Sequence, residues 1–149
     1  MSFAKQVGKF SVKAINAAEQ DRRAICFKLF SAIIQDTPVG NPDLWKSGKA
    51  PAGYVGGRLR GNWQTSVGAP ATGSLDVIDP QGVQALQDMQ SNLGNGTTND
   101  VTIYFVNNLP YASRIEFEGH SSQAPRGMVR RNVARFNRLV AQAVREGKL

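Results

Sequence analysis

Val101-Thr102-Ile103-Tyr104-Phe105-Val106 is the stretch on which the fold class turns. Val101, Ile103 and Phe105 alternate with Thr102 and Tyr104, and β-branched and aromatic residues at a period of two suit a pleated, half-buried strand. Without this segment the chain would read as helices joined by loops. Upstream, Gly94-Asn95-Gly96-Thr97-Thr98-Asn99 is a cluster of turn formers that leads into it. Farther back, Arg58 to Val67 reads as a partner strand, with Leu59, Trp63 and Thr65 alternating with Arg60, Asn62 and Gln64. Leu75 to Ile78 reads as a short third strand, ended by Asp79-Pro80.

Helical patterns flank these strands. Ile15, Ala18, Arg22, Ile25, Leu29 and Ile33 recur at spacings of three and four, which predicts a helix from about Ser11 to Gln35. Arg22 interrupts that stripe, and a buried stem with an outward guanidinium would accommodate it. Phe27 and Ile34 fall off the stripe and suggest a second contact, such as another subunit. Thr37-Pro38 closes the helix, because a residue before proline is pushed out of the α region. Val83 to Asn92 and Tyr111 to Phe117 read as short helices. Gly127 to Glu146 reads as a longer one, with Val129, Val133, Phe136, Val140 and Val144 on one side and Arg131, Arg135, Arg138 and Arg145 opposite. The expectation is a single α+β domain over residues 1–149: a small, mostly antiparallel sheet packed by a long N-terminal helix and a C-terminal helix. Between them lies a long loop, Pro38 to Gly57. Nearly twenty irregular residues inside a compact domain usually carry function, and Trp45 and Tyr54 within this loop suggest a contact with a partner.

Composition narrows the function classes. The lone cysteine, Cys26, allows no internal disulfide and argues against a thiolate zinc site. Its apolar helical neighbours predict a small hydrophobe rather than a reactive thiol. Lys5 and Lys9 near the start are followed by no apolar core of a secretory signal, and no run of about 20 apolar residues would span a membrane. The net charge of +7 is divided sharply. Residues 1–60 carry ten Lys/Arg against four acids (+6), residues 61–125 one arginine against six acids (−5), and residues 126–149 seven Lys/Arg against one acid (+6). A basic–acidic–basic chain suits subunits that meet through unlike surfaces, and it also suits loose contact with phosphates.

Catalytic and nucleotide signatures do not materialise. Gly48-Lys49 is followed by Ala50, with Asp43 where a Walker loop needs its first glycine. The Gly56-Gly57-Arg58-Leu59-Arg60-Gly61 run lacks the strand-turn-helix setting of a dinucleotide site. His120, the only histidine, forms an alternating set with Glu116 and Glu118 that on a strand could place three ligands on one side. The segment ends a helical turn, however, so a solvated loop histidine beside carboxylates is the better reading. No cofactor or enzyme activity is expected. The arginine face of the last helix could meet DNA or an acidic partner, but no zinc-finger spacing or helix-turn-helix accompanies it. Only a non-specific, salt-sensitive DNA contact is compatible.

Four stretches in order then resemble one family. They are Thr37-Pro38-Val39; Gly57-Arg58-Leu59-Arg60-Gly61-Asn62-Trp63; Asn107-Asn108-Leu109-Pro110-Tyr111-Ala112 with Ile115-Glu116-Phe117; and Ala124-Pro125-Arg126-Gly127-Met128-Val129-Arg130. Together they resemble the neck or tail-completion proteins of long-tailed bacteriophages, the minor tail protein Z-like group. The resemblance implies a virion protein, made in the host cytoplasm and seated at the head–tail junction. It implies a homo-oligomeric ring, six copies by the symmetry of tail tubes, between the head connector or stopper and the tail terminator or tail tube. Genomic DNA would pass through the lumen without specificity, and neither catalysis nor a membrane is involved. Trp63, Asn107, Asn108, Pro110, Tyr111, Glu116, Phe117 and Pro125 would be structural motif residues. Arg58, Arg60, Arg131, Arg135 and Arg138 are expected at subunit contacts or the lumen. The chain departs from the family pattern in two places: residues 40–56, with Trp45 and Tyr54, are inserted, and the usual Glu-Phe-Gly becomes Glu116-Phe117-Glu118-Gly119. The alternatives are a tail terminator ring and a non-specific DNA-binding protein that uses the C-terminal arginine helix.

Overall fold

A computed structural model of the protein describes residues 2–94 and 100–145. The turn cluster at Asn95–Asn99, the Val144 side chain and the end of the last helix at Glu146 lie outside the described residues. In chain order the elements are α1 (Phe3–Asp36), α2 (Arg58–Gly61), β1 (Trp63–Val67), α3 (Val83–Gly94), β2 (Ile103–Asn107), α4 (Ala112–Phe117) and α5 (Val129–Arg145). The fold class is α+β, as expected. β1 and β2 pair antiparallel, from Trp63 opposite Asn107 to Val67 opposite Ile103. Helix α3 lies between them in the chain and packs against β1, while α5 runs against α1.

Helix α1 is 34 residues long, about 51 Å at 1.5 Å per residue. It begins well before Ser11, because Ser2 caps it by accepting a hydrogen bond from the Lys5 amide. It ends where Pro38 dictates, with Thr37 extended at φ −70°, ψ 126°. Only its C-terminal part enters the core. Ile33 and Ile34 are both buried, so Ile34 serves the chain's own interior rather than a second contact. They meet Leu59, Trp63, Ala85, Leu109, Ile115 and Met128 in one cluster. Phe30, Phe105 and Trp63 form a three-ring stack, with centroids 4.2 and 4.6 Å apart, that joins α1 to both strands.

Two expected strands come out differently. Arg58 to Gly61 is a helical turn, and the strand starts only at Trp63. Leu59 and Trp63 are four residues apart, a spacing that satisfies both the strand and the helix period, so alternation alone could not separate them. Gly57 decides the matter. It sits at φ 115°, and a Cβ there would lie 2.4 Å from the Pro80 nitrogen. Leu75 to Ile78 is extended but joins no ladder. The buried Asn62 side chain takes the strand partner's place: Oδ1 accepts from the Leu75 amide (2.7 Å) and Nδ2 donates to the Leu75 carbonyl (3.1 Å).

Candidate assembly surface

The polar residues of the four stretches are committed to the chain's own framework. Trp63 Nε1 donates to Thr37 Oγ1 (2.7 Å), which donates in turn to the Ile33 carbonyl (2.6 Å). Arg60 reaches the exposed carbonyls that end α1, donating to Thr37 (2.7 and 3.1 Å) and Gln35 (2.9 Å), and also to Pro80 (2.6 Å). Its guanidinium thus serves the fold instead of a neighbour or lumen. Asn107 donates to the Leu59 carbonyl, and Asn108 donates to the carbonyls of Ala71 and Gly73. Two remote loops are thereby tied to the end of β2.

Two buried carboxylates cap two helices. Asp79 accepts from the amides of Val83, Gln84 and Ala85 at the start of α3 (2.9–3.1 Å). Glu116, on α4, does the same for α5: Oε2 accepts from Met128 (2.6 Å) and Val129 (2.9 Å), and Oε1 accepts from the Arg130 amide (2.9 Å). The Arg130 guanidinium adds an ion pair at 3.2 Å and also donates to the Glu116 carbonyl. Burial raises the Glu116 pKa, but the amides of Arg130, Val129 and Met128 and the Arg130 side chain outweigh it, holding the carboxyl below its ordinary value. Gly127 permits this approach at φ 80°, because a Cβ would lie 2.6 Å from the Glu116 carbonyl oxygen. Glu116 is therefore a capping group, and it leaves the Glu116–Glu118–His120 set. No cluster of three potential metal ligands occurs among the described residues.

The remaining candidates lie toward the surface. Arg131 and Arg135 both meet Asp36 on α1 at 3.1 Å, and Asn132, buried, joins the same carboxylate. Arg58 and Arg138 are exposed. Pro110, Pro125 and Phe117 are exposed too, and the Arg130 guanidinium lies 5.0 Å from the Phe117 ring centroid. In the inserted loop, which contains a short 3₁₀ turn at Pro42–Leu44, Trp45 and Tyr54 meet edge to face at 5.0 Å. The loop covers one side of a groove of about 270 Å³ whose other side includes Arg58, Tyr111 and His120. Gln123 ties that side to Val39 (2.9 Å). Tyr111 is half-buried, and burial raises its phenol pKa, with Arg58 opposing and Tyr54 reinforcing. Cys26 is half-buried, its thiol pushed up by burial against the pull of Arg22. The Arg22 guanidinium turns inward and donates to the Val101 carbonyl.

The largest feature absent from the sequence reading is the uncovered half of α1. Every residue from Ser2 to Ala18 is exposed, including Phe3 (80 %) and Phe10 (73 %). The helical pattern marked Ile15 as core, yet it too faces outward. Asp36, Asp79, Asn62 and Asn132 were also missed. Of these only Asp79 had a usable signal, an aspartate four residues ahead of an apolar helical run. No helix among the described residues is long and apolar enough to cross a membrane. No protein-family model, curated protein or solved structure matches this chain, so its role has to be read from this geometry.

Proposed function

We propose that the chain is a structural subunit of a long-tailed phage neck, a tail-completion protein that joins the tail to the DNA-filled head. Six copies form a ring in the virion, between the head connector or stopper and the tail terminator or tail tube, and DNA passes through it. The observation that carries this reading is a division of labour. The residues of the four family-like stretches hold the subunit together, while an apolar half-helix about 25 Å long is left with nothing in its own chain to cover it. A subunit with a finished interior and an unfinished exterior is built to assemble. Arg58 and Arg138 are the arginines best exposed for lumen or subunit contacts. The arginine helix is a weaker DNA-binding candidate than its sequence suggests, because Arg130, Arg131 and Arg135 already face carboxylates.

A stop codon in the gene tests the role. Electron microscopy of the lysate should show separate DNA-filled heads and tails, joined again when the protein is supplied. Normally joined particles would refute it. The inserted loop is proposed to reach a neighbouring subunit or the adjoining ring, with Leu44 and Val55 outermost. Deleting residues 41–54 should leave the domain folded and abolish joining. Unimpaired particle assembly would remove the loop from the interface.

A further inference from the structure

Each chain carries an unoccupied apolar groove as well as an uncovered apolar helix. The groove, about 420 Å³, lies between α1 and α5. Its apolar lining is Ala24, Ile25 and Leu29 from α1 and Phe136, Leu139 and Val140 from α5. Leu139 is 58 % exposed there, and the one carboxylate in the lining is Asp21. In the leading segment of α1, residues 2–18, Phe3, Val7, Phe10 and Ala14 stand at spacings of four, three and four, which is one stripe of a helix. Lys5, Lys9 and Lys13 follow one another at intervals of four beside it, with no acid in the segment.

We infer that the groove receives the residue 2–18 segment of a second copy of this chain. The segment cannot fill its own groove. It continues without a break into residues 21–32 of α1, which form one wall of that groove, and a helix cannot fold back onto its own side. Its lysines suit the Asp21 rim, while Arg135 on the opposite wall is already held by Asp36. A helix of this length holding Gly8 is marginal alone in water, so docking supplies the burial that keeps it helical. Donor and acceptor are different surfaces of the chain. The contact therefore propagates from copy to copy and can close into a ring, or be returned within a pair. This deepens the assembly reading without depending on which particle the assembly belongs to.

Complementation between two variants of the full chain tests it. Phe3→Asp/Phe10→Asp disables the segment and Leu139→Asp disables the groove, all at exposed positions. Each side chain contributes about ten- to a hundredfold in affinity when buried. Each variant alone should sediment as a monomer with the wild-type unfolding midpoint, while wild type associates. An equimolar mixture should form one-to-one pairs and stop there, because that pair has used the only intact segment and the only intact groove. Leu139→Ser, which is milder, replaces Leu139→Asp if the latter unfolds. Variants that associate like wild type, a mixture that stays monomeric, or wild type monomeric up to about 1 mM would overturn the inference. Those results would leave the neck reading to its stop-codon test. Successful complementation with wild type halting at pairs would keep the contact and count against the ring.

Discussion

Glu116 was first a possible ligand or acid–base partner for His120, and its carboxylate instead closes the first turn of α5. Three amides and the Arg130 guanidinium all donate to it, and Gln could not reproduce that, because half of its amide is itself a donor. Glu116→Gln should destabilise the fold by about 1–3 kcal/mol at neutral pH, read from urea unfolding. The sign of the pH dependence follows from the depressed pKa. A carboxyl held below its unfolded value of about 4.3 stabilises fully above that pH, and the contribution is lost as the pH falls through the folded value. The gap between wild type and variant should therefore shrink below about pH 4. A gap unchanged down to pH 2 would mean that packing, not charge, gives Glu116 its effect. Arg60 teaches the same lesson. Read along the chain it is a surface cation, but in the fold it terminates α1.

At the scale of elements, α1 is two helices in energetic terms. Its last turns contribute Phe30, Ile33 and Ile34 to the core, while residues 2–18 touch solvent throughout. Local stability tracks buried contacts, so amide exchange in the monomer should be fast over residues 3–17 and slow over 29–36. The difference in protection should reach at least about a hundredfold, and association should slow the leading segment. Uniform protection along α1 in a proven monomer would contradict this division. The sheet shows how little strand a side chain can replace. Asn62 does for Leu75 what a third strand would have done, and asparagine's paired donor and acceptor make that substitution possible.

For the whole molecule, the +6, −5, +6 division of charge looks different once folded. Two of the six central acids, Asp79 and Glu116, are buried as helix caps, and Glu118 is paired with Arg114 at 3.4 Å. The acidic middle that a neighbour could meet is correspondingly smaller. Much of the arginine helix is likewise neutralised by Asp36 and Glu116. The free protein should therefore bind duplex DNA no more tightly than about 10⁻⁵ M at physiological salt, by fluorescence anisotropy. Nanomolar binding with a steep salt slope would move the DNA-binding reading ahead of the structural one.

By itself the sequence determined the α+β class, the strand at Ile103, the proline stop of α1 and the amphipathic C-terminal helix. Each of these is written in local spacing or in a residue whose backbone preference is strong. The tertiary structure alone decided that Leu59 belongs to a helical turn, that Leu75 pairs with a side chain, and that Ile15 is outside while Ile34 is inside. It also decided that Arg60 and Glu116 act within the fold. The physical reason is common to all of these: periodicity shows which residues share a face, but only packing shows whether anything lies against that face. A polar group's role likewise depends on which unpaired backbone groups the rest of the chain brings to it.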